Sequence, residues 1–211
     1  LSGFSGTQLD ALTPTQLAAL SSSQLAGLTV TQVLGFSATD ISQFDVGQLE
    51  GLTTAHVASL TTTHIAGFTA TQIAGLGASQ LGGFTSTGIA ALSTTQVAAL
   101  TADQIPLFST TQLKGFTASS VGALAVDRLA ALTTTQIAAF SAAQVKGFGA
   151  DAISALSDEQ MAVLSVTQIG SLTTTAIGAL EPAQINALSS TQLAGLAATQ
   201  LRVFDETQIA S

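Results

Sequence analysis

Large apolar side chains recur along the chain at alternating intervals of three and five residues, in a frame that starts at Ser5 and continues without an insertion. The period is eight, and a fixed period of this kind is the signature of a repeat architecture. Numbered from Ser5, the chain contains 26 octads. Position 5 is large and apolar in all 26, from Leu9 through Met161 to Ile209, and position 8 is Leu or Phe wherever the octad is complete. Position 1 is Ser or Thr in 19 octads and position 4 is Gln in 18, so the consensus reads Thr-Thr-Thr-Gln-Ile-Ala-Ala/Gly-Leu.

This pattern predicts one very short helix per octad. Ser or Thr followed three residues later by Gln is a capping box, in which each side chain satisfies the other residue's backbone N–H. Pro14 and Pro182 both fall at position 2, the first helical residue, where a missing N–H costs nothing. Nine of the twelve acidic residues lie at positions 1 to 3, while Lys114, Lys146 and Arg202 lie at position 6, the polarity that a helix dipole favours. A single long helix is excluded, because residues eight apart drift by about 80° and would wind the apolar stripe around the cylinder. The chain must therefore break in every octad, and the glycines at position 7, such as Gly27, Gly35, Gly51 and Gly147, are expected to provide the turn. Pro106, at position 6, removes an interior donor and predicts a distorted octad. The alternative is a β-solenoid, given the many Thr, Ile and Val, but positions 5 and 8 have opposite parity and would not both point inward from one strand.

Helices this short are marginal alone, so the octads are expected to stack into an all-α solenoid that shares burial between neighbours. The irregular positions give the only hint of the pitch. Replaced caps recur at 24 and 32 residues (Ala125 to Gly149, Asp45 to Gly77, Gly149 to Glu181), as do Asp103, Asp127 and Asp151 at 24 and Lys114 and Lys146 at 32. This suggests about three to four octads per turn, with two per turn as a looser alternative. The expected core includes Leu12, Leu17, Phe36, Ile73, Phe108, Ile137, Phe140 and Ile169, and the expected caps include the pairs Thr13 and Gln16, Thr133 and Gln136, and Ser189 and Gln192. No linker interrupts residues 1–211, which read as a single repeat domain. The chain starts at Leu1 and stops at Ser211 inside an octad, so it reads as a fragment of a longer repeat protein, stacking with flanking repeats or end to end.

Composition narrows the chemistry. The 211 residues include no Cys, Trp or Tyr and two His, which removes thiol and disulfide chemistry and leaves little for a metal centre. A net charge of −8 argues against nucleic acid as a partner, and polar residues interrupt every apolar run too soon for membrane insertion. His56 and His64 sit at position 4 of consecutive octads and, with Asp40, are the weak candidates for a metal site; the simpler reading is that each His replaces Gln at the cap. Asp158-Glu159 and Asp205-Glu206 lie in first turns, where interaction with the dipole accounts for them. No catalytic residue, enzymatic activity or cofactor is expected. Position 3 carries a long series of threonines, among them Thr31, Thr63, Thr95, Thr135, Thr167 and Thr199, which a regular solenoid would display as rows suited to an ice or protein ligand.

The octad tract, in runs such as Leu132-Thr-Thr-Thr-Gln136-Ile-Ala-Ala-Phe140, resembles the Ser/Thr-x-x-Gln repeats of large, repetitive bacterial surface or secreted proteins of adhesin type. The resemblance covers the whole chain and implies an extracellular or cell-surface location. It also implies a structural role, as a rod-like spacer or self-assembling scaffold. A binding module using the Thr-rich face is the alternative.

Overall fold

A computed structural model describes residue 1 and residues 3–210; Ser2 and Ser211 lie outside the described residues. Among these, the secondary structure is entirely helical, with 25 α-helices and one 3-10 helix, one per octad, and no strand. The β-solenoid is thereby excluded.

The α-helices are four to six residues long, and most form as the capping box dictates. At Thr13 the backbone is extended (φ −71°, ψ 159°), its hydroxyl accepts the Gln16 N–H, and the Gln16 side chain accepts the Thr13 N–H at 2.8 Å. The helix Pro14–Ala18 follows with proline at its start. Leu17 N–H donates to Thr13 O at 2.9 Å, and Leu20 N–H then donates to Leu17 O at 3.1 Å, a tighter bond that ends the helix. Position 8 returns to extended backbone, as at Phe44 (φ −65°, ψ 138°), which feeds the next cap. Thr133–Gln136 and Ser189–Gln192 form the same box. Lys114, Lys146 and Arg202 are the C-cap residues of their helices, where a cation meets the negative end of the dipole. Around Pro106 the α-helix is replaced by a 3-10 turn at Ile105–Leu107, as the missing donor requires.

The glycines at position 7 act differently from expectation. No described residue has a positive φ, and Gly27, for example, is right-handed at φ −82°. The chain turns without them, because position 8 alone breaks the helix. What several of them provide is close approach between successive turns. A Cβ at Gly51 would collide with the backbone of Ser22, one at Gly67 with Ala38, and one at Gly147 with Ala118.

The chain forms two compact units, Leu1–Phe108 and Ser109–Ser211, and the octad frame passes between them unbroken. In each, helices pack on the helix three octads further along. In the first unit Gly6–Asp10 meets Val30–Val33, and Pro14–Ala18 meets Ala38–Gln43; in the second Ala142–Val145 meets Val166–Ser171. Positions 5 and 8 point inward, so Leu17, Phe36, Ile73, Phe108, Ile137, Phe140 and Ile169 are all buried. Leu12 departs from expectation and is only half-buried, because octads stack on it from one side alone. Phenylalanines of neighbouring octads meet edge to face in the core, Phe36 with Phe44 at 5.2 Å and Phe140 with Phe148 at 5.8 Å.

Candidate functional site

The most heavily used polar group of the fold is the side chain at position 4. Gln48 shows why. Its Oε1 accepts the N–H of its own cap, Asp45, at 2.9 Å, while its Nε2 donates to the carbonyls of Leu17 and Leu20 in the preceding turn, at 2.8 and 2.7 Å. One carboxamide thus closes a cap and ties two turns together, which requires an acceptor and two N–H donors on one planar group. The arrangement recurs at Gln72 with Ile41 and Phe44, at Gln96 with Ile65 and Phe68, at Gln144 with Leu113 and Phe116, and at Gln184 with Ile153 and Leu156. From Gln160 onward several of these amides use the carbonyl 30 residues back instead of the one 31 back. The result is a ladder of buried glutamines, each 7% exposed or less.

Sequence reading assigned these glutamines only to the cap. A signal for the second role was present: position 4 is never Glu, although Glu closes a capping box equally well and suits the helix dipole better. Only the amide supplies the donor.

The ladder also fixes the pitch. Its bonds span 28 to 31 residues, Ser171 Oγ reaches Ala142 O across 29, and Thr54 Oγ1 reaches Ser79 O across 25. All lie between three octads and four. Unlike positions therefore face each other between turns: position 4 meets positions 5 and 8, and position 7 meets position 2. The position-3 threonines, including Thr31, Thr63, Thr95, Thr135, Thr167 and Thr199, are all exposed, but they do not stack on one another through these bonds.

His56 and His64 occupy the ladder in place of glutamine. His56 Nδ1 accepts the Thr53 N–H at 3.3 Å, and its Nε2 lies 2.9 Å from Leu28 O, so the neutral ring protonated on Nε2 reproduces both functions of the amide. His64 Nδ1 accepts the Thr61 N–H at 3.2 Å, and its ring is held by the backbone of Phe36. Burial lowers the His64 pKa below its ordinary value, against a smaller opposing effect of that backbone hydrogen bond. Asp40 faces its own cap, accepting the Ser37 N–H at 2.9 Å. These three are not brought together, and no group of three or more metal-ligating side chains occurs among the described residues.

The paired carboxylates remain in first turns. Asp158 and Glu159 open the helix Asp158–Ala162, and the Glu159 pKa is lowered chiefly by a hydrogen bond from Ser157. Asp205 caps the final helix through the Gln208 N–H at 2.8 Å, and Glu206 follows it. No described helix is long and apolar enough to cross a membrane.

The uniform octad and its ladder define a tandem-repeat protein with an all-α solenoid fold. The chain is similar to the ALTTAQ repeat, whose family model matches residues 73–110, 129–166 and 160–190, together a little under half of the chain. The segment Ala131-Leu132-Thr133-Thr134-Thr135-Gln136 matches that wording at positions 7, 8, 1, 2 and 4 and has Thr135 in place of its alanine at position 3. No curated protein matches the chain.

Proposed function

We propose that the chain is a non-catalytic structural repeat, a spacer or self-assembling scaffold within a large surface or secreted protein. The observation that carries this reading is that the recurring residues are consumed by folding. Position 1 caps, position 4 caps and joins turns, and positions 5 and 8 fill the core, which leaves position 3, most often Thr, and positions 2 and 6, mostly small side chains, outside these roles. The surface or secreted setting rests on the resemblance of the octad tract alone. A spacer is extended by adding units, and the ladder suits this because each octad offers the next turn the carbonyls that it uses itself.

The test is removal of one complete octad, residues 133–140. A spacer with equivalent units retains its helical circular dichroism per residue and a cooperative melt, with a small loss of stability. Loss of helical signal, or a broad non-cooperative transition, would show that the octads are not interchangeable and would overturn the reading.

A further inference from the structure

His56 and His64 are the only histidines in the chain, and they stand at position 4 of successive octads, where most octads carry glutamine. Both are buried, 4% and 9% exposed. In each ring the nitrogen that faces the cap meets a donor: Thr53 N–H donates to His56 Nδ1 at 3.3 Å, and Thr61 N–H to His64 Nδ1 at 3.2 Å. On the far side, His56 Nε2 lies 2.9 Å from Leu28 O and the His64 ring is held by the backbone of Phe36, so both rings bridge their own cap to the preceding turn.

A glutamine in this place is indifferent to pH, because its oxygen accepts and its NH2 donates whatever the proton concentration. An imidazole does the same in one state alone. Neutral and protonated on Nε2, it accepts at Nδ1; doubly protonated, it carries a hydrogen on Nδ1 as well, and that hydrogen is set against the cap N–H. The bond to the preceding turn survives the change and the cap does not. The added charge also falls in the first turn of a helix, at the positive end of its dipole. The helix Thr54–Ser59, which carries His56, packs on Val30–Val33 and Ala78–Leu81, and Thr62–Ala66, which carries His64, packs on Ala38–Gln43 and Ser86–Ala90. Among the described residues of these four neighbours the one titratable group is Asp40, whose carboxylate is engaged by the N–H and hydroxyl of Ser37 at 2.9 and 2.8 Å. In the octad before His56, Asp45 accepts the Gln48 N–H and Glu50 is exposed.

We propose that the two histidines are an acid-sensitive latch: when the rings take up protons, the starts of the helices Thr54–Ser59 and Thr62–Ala66 come loose together, while octads held by glutamine stay capped. The sign follows from linkage. The fold binds the neutral rings, so the latch is closed above the free imidazole value of about 6.5 and begins to open as pH falls below it. Burial of His64 acts in the same direction, lowering its pKa. Adjacency makes the opening local and concerted, because the second octad begins where the first ends and such short helices rely on their neighbours. The proposal is independent of the spacer reading, since it concerns two octads and not the repeat.

The experiment is amide hydrogen exchange of the whole chain, followed by NMR at about pH 7.5 and about pH 5, with each rate divided by its intrinsic value at that pH. Thr53 and Thr61 N–H are expected to lose at least about tenfold in protection relative to Thr29 and Thr69 N–H, whose acceptors are Gln32 and Gln72. His56→Gln combined with His64→Gln places the consensus residue in both octads, and in this double variant Thr53 and Thr61 are expected to follow Thr69 at both pH values. Parallel behaviour of all four amides in the unmodified chain would overturn the proposal. So would a selective loss at Thr53 and Thr61 that persists in the double variant, since no imidazole would then be responsible.

Discussion

At the scale of the residue, stability in this fold depends on an amide proton more than on a charge or a ring. Gln96 is 4% exposed and donates to Ile65 O and Phe68 O at 2.9 and 2.7 Å. Gln96→Glu keeps the cap acceptor but sets a carboxylate oxygen against two buried carbonyls, and an expected loss of about 2–4 kcal/mol follows. The same change at exposed Gln24 should cost almost nothing or stabilise by a few tenths of a kcal/mol, since an acid in the first turn suits the dipole. Urea denaturation of the two variants, compared at the midpoint, checks the contrast. His64 supplies a second test. Its pKa is lowered in the folded chain by burial, so the unfolded chain binds the proton more readily. The fold is therefore at full strength above the unfolded value of about 6.5 and loses stability as pH falls below it toward the folded pKa. Melting temperatures measured between pH 7.5 and 5 should decline, and His64→Gln should flatten part of that slope.

At the scale of the element, each helix survives by contacts that its own sequence does not contain. A helix of four to six residues has its cap and little else, so the separation between turns decides how well its inner face is covered. Position 7 controls that separation. Gly51→Ala would drive a Cβ into the Ser22 backbone and push two turns apart, with an expected cost of about 1–3 kcal/mol. Gly27 occupies the same octad position, but its nearest atoms, Ser23 O and Gln24 O, lie at 3.6 and 3.7 Å in ordinary contact. Gly27→Ala should therefore be neutral or stabilise by about 0.4–1 kcal/mol through the unfolded state. A pair of thermal melts separates these signs. The Pro106 octad shows how local such disturbances stay: its helix is 3-10, yet Gln104 still accepts the Thr101 N–H at 2.9 Å and donates to Ile73 O and Leu76 O at 2.9 and 2.8 Å.

At the scale of the whole molecule, the octad is the unit of symmetry, and removal of one whole octad preserves every relation between positions 4, 5 and 8. Removal of a single residue does not. Deletion of Thr167, at position 3 of its octad, leaves Gln168, which donates to Ala138 O and Phe140 O, two residues after its cap instead of three. That breaks one capping box and misplaces one rung of the ladder while all others keep register. The expected result is a local defect of a few kcal/mol, and hydrogen exchange should find weakened protection in that octad and in the one whose carbonyls it served. Additive behaviour of this kind is characteristic of solenoids, whose parts contact only their neighbours.

The octad frame, the caps at Thr13, Thr133 and Ser189, the inward faces at positions 5 and 8 and the proline sites were all determined by sequence alone. The reason is range: each depends on residues within one octad, and short-range hydrogen bonding and the apolar pattern express them directly. The tertiary structure decided the rest. The pitch lies between three octads and four because position 4 meets positions 5 and 8 across about 28 to 31 residues, a distance along the chain that no local pattern encodes. Once that offset is set, Gln48 becomes a bond between turns and Gly51 becomes a contact surface and not a hinge. Identical octads carry the same local instructions; what each residue touches is fixed only when one turn settles on the next.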